Sequence, residues 1–267
     1  MNKQPLLTAM CGVLALAKSV ASTPESPFDV NLQADSSSAV RVFLPKHAEQ
    51  PAKAVIICPG GGYSHLAMAH EGYDWAPFFN EQGVAAIVLK YRMPAGNLLL
   101  PVMDALDALR VAKEHASEWN INPSKIGVMG SSAGGHLAST VATHAPEELC
   151  PAFQILFYPV ISMDARETHR GSRRHFLGEN PSEEKVRLYS NELHVTDSAP
   201  PAFIALSSDD RAVSPANAVR YYSALQEHGV PAALYIYPSG GHGWGIKPSF
   251  KYRDEMMLEL KKWLEDY

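Results

Sequence analysis

Cysteine is scarce, with 3 in 267 residues. Cys11, Cys58 and Cys150 are too few for a disulfide scaffold, and their spacing fits no zinc pattern such as C-x-x-C. No His-Glu-x-x-His or comparable ligand set occurs, so the chemistry is expected to need no metal and no cofactor. Positive charge is not in excess: 23 Lys and Arg stand against 28 Asp and Glu, a net charge of −5. That balance argues against a nucleic-acid partner, whose phosphates call for a basic surface. No apolar run reaches the roughly 18 residues of a membrane-spanning helix. The disorder signature is missing too, since 46% of residues are hydrophobic and only 19% charged. What is left is a globular chain long enough for one sizeable core, either an enzyme or a binding domain.

The N-terminus is set apart from the fold. Lys3, an apolar stretch from Leu6 to Ala17, and Ser19-Val20-Ala21 have the order of a secretory signal peptide with a small-x-small cleavage site. Cleavage after Ala21 would give a secreted or periplasmic protein of residues 22–267; a cytoplasmic N-terminal helix is the alternative. Cys11 does not read as a lipidation site, because Met10 stands where a small residue is needed. Cys58 closes the apolar run Val55-Ile56-Ile57 and reads as a small buried hydrophobe rather than half of a supported Cys58–Cys150 bridge.

After a polar stretch, Ser22 to Ser38, short apolar runs alternate with helical patterns. Strands are expected at Val40–Leu44, Ala54–Cys58, Val84–Leu89, Lys125–Met129, Phe153–Tyr158, Phe203–Ser207 and Ala233–Tyr237. Several are apolar throughout, as in strands buried on both faces of a parallel sheet. Helices are expected at about Tyr73–Gln82, Pro101–Trp119, Gly134–His144, Pro215–His228 and Phe250–Tyr267. Val102, Ala105, Leu106, Leu109 and Ala112 recur at spacings of three and four, one apolar helix face. The alternation predicts an α/β fold of one domain, with a mostly parallel central sheet and helices on both faces. Residues 159–201 break the rhythm, with one short helix expected at Glu183–Tyr189. An excursion of that length is either a lid-like insertion over a site or solvated surface.

The chemistry gathers at strand ends. Gly130-Ser131-Ser132-Ala133-Gly134 contains G-x-S-x-G, a pattern that arises by chance in roughly one chain in eleven of this length. Context strengthens it, because a strand runs in and a helix runs out. Such an elbow needs glycine two residues to either side of its central serine, where neighbouring backbone crowds in. Ser132 meets that test; Ser131, flanked at those positions by Met129 and Ala133, does not. A serine hydroxyl needs a base, and the base needs an acid to orient it. Two further strand ends, after Ser207 and after Tyr237, offer Asp209-Asp210 and Gly240-Gly241-His242-Gly243-Trp244 in the order acid then histidine. Asp210 is favoured as the acid, since apolar Val213 follows it by three residues, an anchor spacing usual after the catalytic acid of folds with this residue order, while Asp209 would bond the loop backbone. His136, one turn into the helix after Ser132, reads as a packing or hydrogen-bonding residue. Pro59-Gly60-Gly61-Gly62-Tyr63 follows the strand ending at Cys58 and lacks the Gly-Lys-Ser/Thr of a phosphate loop. Its glycines permit close backbone approach, so Gly61 and Gly62, with Ala133 after the nucleophile, are the candidate oxyanion donors. Tyr63 and Trp244 are candidates for stacking on substrate or for walls of the site.

These segments, with Lys90-Tyr91-Arg92, Leu177-Gly178-Glu179-Asn180-Pro181-Ser182 and Tyr189-Ser190-Asn191, resemble the α/β-hydrolase carbohydrate esterases, and within them the acetylxylan-esterase-like proteins. The resemblance runs from about Val40 to the C-terminus. It implies an α/β-hydrolase fold, a Ser132–His242–Asp210 triad, no metal, and removal of small acyl groups from sugar hydroxyls. Pro59 departs from the lipase-type His-Gly-Gly-Gly loop, which leaves the donor among Gly61, Gly62 and Tyr63 open. A general short-chain carboxylesterase, a small serine peptidase, and an inactive binding protein on the same scaffold are the alternatives. Arg170, Arg173 and Arg174 in the insertion are either solvated surface or a contact for an acidic sugar branch.

Overall fold

The computed structural model describes residues 24–46 and 50–267; the signal-peptide expectation and Cys11 lie outside them. Eight strands form one sheet among the described residues, in the order β1-β2-β4-β3-β5-β6-β7-β8. They are β1 (Phe28–Asn31), β2 (Ala39–Phe43), β3 (Ala52–Cys58), β4 (Val84–Lys90), β5 (Ile121–Ser131), β6 (Gln154–Phe157), β7 (Ala202–Ser207) and β8 (Ala232–Tyr237). β1 and β2 pair antiparallel at one edge, and from β4 to β8 every pairing is parallel. The expected strands are therefore present, with β1 added. β1 sits in the stretch read as polar because its residues alternate between half-buried and exposed, too short and polar a pattern to stand out from a loop.

The apolar runs lie where the sheet is covered on both faces. β6 and β7 are buried along their whole length, and β4 in all but its last residue. The sheet packs against α1 (Ala76–Glu81), α2 (Leu99–Glu114), α3 (Ala133–His144), α6 (Ala216–Glu227) and α7 (Arg253–Asp266). β5 begins earlier than expected because Ile121 pairs with Ala52 through an irregularity in the register, ahead of the regular ladder from Ile126. The interval 159–201 holds two short helices, α4 (Arg170–Leu177) and α5 (Glu183–Leu188). Only the second was expected. α4 is strongly basic and carries His169 as an N-cap that accepts from the Ser172 N–H, a cap that propensity rules do not favour.

The insertion is tied to α3. Asn191 donates to the His136 carbonyl at 3.1 Å and to Ser139 Oγ at 2.7 Å, and His136 Nε2 lies 2.8 Å from the Tyr189 carbonyl. Cys58 and Cys150 are free thiols, and burial pushes the Cys58 thiol up to about 12, which keeps it protonated and unreactive.

Where β5 turns into α3, the G-x-S-x-G glycines are required by packing. A Cβ on Gly130 would stand 2.0 Å from the Gly134 carbonyl oxygen, and one on Gly134 2.0 Å from that of Cys58. Both obstacles are backbone and cannot swing aside. Gly134→Ala is expected to destabilise the fold by more than about 3 kcal/mol, above ordinary overpacking. Urea denaturation of that variant beside wild type measures this, and a loss under about 1 kcal/mol would contradict the close approach.

Candidate active site

The parallel strands all deliver their C-terminal ends to one edge of the sheet, where open α/β folds bind ligands. Ser132 follows β5 at φ 54° and ψ −120°, a conformation that costs a non-glycine residue of order 1–3 kcal/mol. Backbone bonds pin it: its N–H donates to the Phe157 carbonyl at 3.0 Å, and its carbonyl accepts from Val160 at 3.0 Å and His136 at 3.1 Å.

The Ser132 Oγ lies 2.8 Å from His242 Nε2, and His242 Nδ1 lies 2.6 Å from Asp210 Oδ2. Asp210 is brought to the imidazole and Asp209 is not. The other Asp210 oxygen accepts from the Ala212 and Val213 N–H groups at 2.8 and 2.9 Å, so the apolar anchor expected at Val213 is itself bonded to the acid. Asp209 accepts from the Gly241 N–H at 2.8 Å, holding the loop that presents His242. With Nδ1–H donated to a carboxylate, Nε2 is left to accept the serine proton, the tautomer a general base needs. The Asp210 side chain is 1% exposed and that of His242 23%, so the acid is sealed while the base meets the cleft.

The glycine loop borders the same cleft, of about 350 Å³, lined by Gly61, Gly62, Ser132 and His242 together with His169 and His175 from the insertion. Gly61, at φ 131°, has no room for a side chain, since a Cβ would fall 2.1 Å from the His65 carbonyl oxygen. The Gly60 N–H is already committed to Glu71 at 2.9 Å. Ala133 opens α3, where N–H groups lack acceptors within the helix. His175 Nδ1 donates to the Gly62 carbonyl at 2.8 Å. Burial and the nearby His242 hold the His169 imidazole below its ordinary value.

Tyr63 and Trp244 correct one expectation. They are 2% and 4% exposed, so neither can stack on a ligand. Tyr63 stacks on Phe176 at 4.7 Å and Trp244 on Phe250 at 4.1 Å, and Trp244 Nε1 donates to Ser207 Oγ. Their apolar rings are consumed by packing beneath the cleft. Arg170, Arg173 and Arg174 lie in a separate depression beside it, with Arg174 3.8 Å from Glu179. Sequence reasoning missed His169, His175, Glu71 and Tyr158. No motif marks them, because each is brought in by an element remote from the triad loops.

His136 plays the part expected of it, as a bonding residue. It is fully buried, with Nε2–H donating to Tyr189 and Nδ1 accepting from the Tyr63 hydroxyl at 2.8 Å. Burial, partly opposed by the Tyr189 carbonyl, lowers its pKa to about 4.

The fold and site together define a class, and the chain belongs to the alpha/beta hydrolase fold family, whose model matches residues 55–246. Among curated proteins it is 40% identical over 269 residues to an acetylxylan esterase of Xylanibacter ruminicola, covering 99% of this chain and 55% of that protein. It is also 33% identical to an endo-1,4-beta-xylanase B of Butyrivibrio fibrisolvens, over 80% of this chain and 36% of that protein. The chain thus spans about half of the first relative and about a third of the second. Among solved structures, an acetyl ester-xyloside bifunctional hydrolase from Caldicellulosiruptor lactoaceticus is 35% identical, with a TM-score of 0.81, over 86% of this chain and 88% of that one.

The His136 imidazole holds its proton less tightly in the folded chain than in the unfolded one. The unfolded imidazole takes up its proton near pH 6.5 and the folded one near 4, so between those values the unfolded state binds more protons. Stability is therefore full above pH 6.5 and is lost as pH falls towards 4, by about 3 kcal/mol. His144 and His169, also held low by burial, add slope of the same sign. Urea denaturation across pH 4–7 should show this decline, and His136→Gln should flatten it; an unchanged slope in that variant would count against the assignment.

Proposed function

We propose that the protein is a serine esterase that removes acetyl or other short acyl groups from carbohydrate hydroxyls of the xylan type. The observation that carries this reading is the unbroken line of hydrogen bonds Ser132–His242–Asp210, at 2.8 and 2.6 Å, on a strained elbow that opens into a cleft. The similarity to an acetylxylan esterase and to an acetyl ester-xyloside hydrolase supports the choice of substrate. So does the cleft lining, which is made of glycine, alanine, serine, glutamate and histidine, with no large aliphatic side chain among the described residues. Such walls offer hydrogen bonds to sugar hydroxyls and little to a long acyl chain.

In the reaction, His242 Nε2 takes the Ser132 proton as Oγ attacks the ester carbonyl. The resulting oxyanion is bound by N–H groups of Gly61 or Gly62 and of Ala133. As the tetrahedral species collapses, the bond to the sugar oxygen breaks and His242 returns its proton to that oxygen. Water, deprotonated by the same imidazole, then attacks the acyl-enzyme and releases the carboxylic acid. Asp210 fixes the tautomer and stabilises the imidazolium. Export after cleavage at Ala21 would bring the enzyme to a polysaccharide outside the cell.

Acetate release from acetylated xylan by the purified protein, beside Ser132→Ala, is the direct test. Wild type should release acetate, and Ser132→Ala should lose activity by at least about 10⁴-fold. If p-nitrophenyl acetate alone is cleaved, through Ser132, the enzyme is a short-chain carboxylesterase without this sugar preference. If neither ester is cleaved and a fluorophosphonate fails to label Ser132, the scaffold is catalytically inert.

The two aspartates should separate cleanly. Asn at position 210 has one oxygen, which the Ala212 and Val213 N–H groups would claim, leaving its NH₂ against Nδ1 and forcing the wrong tautomer. Asp210→Asn should therefore lower kcat roughly 10³–10⁴-fold. Asp209→Asn keeps an acceptor for Gly241 and should stay within about tenfold of wild type.

A further inference from the structure

Glu71 is a carboxylate for which the triad has no evident use. It is 3% exposed yet borders the cleft that holds Ser132 and His242. Burying a carboxylate costs several kcal/mol unless its oxygens are satisfied, so what satisfies them is informative. Oε2 accepts from the Gly60 N–H at 2.9 Å, and Oε1 accepts from the Tyr158 hydroxyl at 2.8 Å. The Tyr158 oxygen in turn accepts from the Gly245 N–H at 2.7 Å. Gly60 begins the oxyanion loop after β3, Tyr158 directly follows β6, and Gly245 closes the loop that carries His242.

Glu71 and Tyr158 together therefore join three strand-end segments that are remote from one another in sequence. Contact is close at Gly60 and ordinary at Gly243. A Cβ on Gly60 would meet Glu71 Oε2 at 2.4 Å, and one on Gly243 would come within 3.9 Å of Oε1. Tyr158 itself holds φ 37° and stands edge-on to the His242 ring at 4.8 Å. A generic core anchor would have no reason to link the donor loop with the base loop.

We propose that Glu71 is a positioning residue for the reaction: through Gly60 on one side and Tyr158–Gly245 on the other, it sets the oxyanion loop and the His242 loop in register with Ser132. The proposal rests on the reading of Ser132, His242 and Asp210 as a catalytic triad. Only a carboxylate fits the role, because two donors converge on it. Glutamine supplies one acceptor and one donor, so either Gly60 or Tyr158 must lose its bond. Misplacement by about 1 Å at the reacting atoms costs on the order of 10²-fold in rate.

The test compares wild type, Glu71→Gln, Tyr158→Phe, the double variant and Ser132→Ala, with p-nitrophenyl acetate and acetylated xylan as substrates and Tm measured alongside. Glu71→Gln should lower kcat by about 10²-fold, with KM within about threefold, since the ground-state cleft wall is kept. Tyr158→Phe should lower kcat in the same direction, and the double variant should lose less than the product of the two single losses, as expected for members of one chain of bonds. Wild-type kcat in both single variants, with only Tm lowered, would reduce Glu71 to a structural anchor and overturn the proposal. A raised KM at unchanged kcat would overturn it as well. If Glu71→Gln does not fold, Tyr158→Phe, which deletes one hydroxyl, decides by the same kcat criterion. Activity surviving in Ser132→Ala would instead overturn the triad reading, whereas an inactive Ser132→Ala beside an unaffected Glu71→Gln defeats this inference alone.

Discussion

The close approach of two backbones is the constraint on which the site depends. At the β5–α3 elbow the Gly134 Cα packs against the carbonyl of Cys58, the last residue of β3. Because β3 and β5 are parallel neighbours in register, with Cys58 opposite Gly130, their C-terminal ends emerge side by side. The glycine loop leaving β3 is thereby delivered next to Ser132, and the first turn of α3 lies against the loop. Any side chain at Gly130 or Gly134 would separate these pieces. The strain at Ser132 is tolerated because its backbone N–H and carbonyl are bonded on both sides, so the elbow is over-determined rather than merely permitted.

Around this junction the remaining strand ends hold the successive members of one line of hydrogen bonds, Ser132–His242–Asp210. β7 delivers Asp210, whose two oxygens divide their work between the imidazole and its own turn. β8 delivers His242 on a loop that Asp209 grips from the neighbouring strand. β6 leads into Tyr158, which burial and the Glu71 carboxylate hold well above the ordinary phenol value, so its hydroxyl stays a donor. The insertion adds a wall rather than a loose flap: His136, Asn191 and His175 bond it to α3 and to the glycine loop. His136 on α3 thus links two neighbours through its ring, Tyr63 of the glycine loop and Tyr189 of the insertion.

Much of this is legible in the sequence. Uninterrupted apolar runs announced buried parallel strands, and the helical spacing of Val102 to Ala112 announced α2. The frame of G-x-S-x-G chose Ser132 over Ser131 on steric grounds alone. The preference for Asp210 over Asp209 rested on one apolar residue three places on, and the structure gives the reason: Val213 is buried at 3% and its N–H is bonded to that carboxylate. Failures came where a residue's role depends on what it meets across the fold. Tyr63 and Trp244 looked like sugar platforms because aromatic type and loop position favour both readings equally; their faces turned out to be covered by Phe176 and Phe250. β1 was missed because a short edge strand with one half-buried face carries little hydrophobic signal.

By itself, then, the sequence determined the elements, the parallel sheet, the elbow and the order of serine, acid and histidine. Those features are local, written in periodicity, in glycines that answer steric demands, and in the few residues after each strand. The tertiary structure decided which distant groups complete the site: His169 and His175 from the insertion, Glu71 beyond the glycine loop, and the burial of Tyr63 and Trp244. Such choices depend on which surfaces meet when separate loops converge at one sheet edge. No spacing along the chain encodes that meeting, because the distances that matter are short only after the strands have paired.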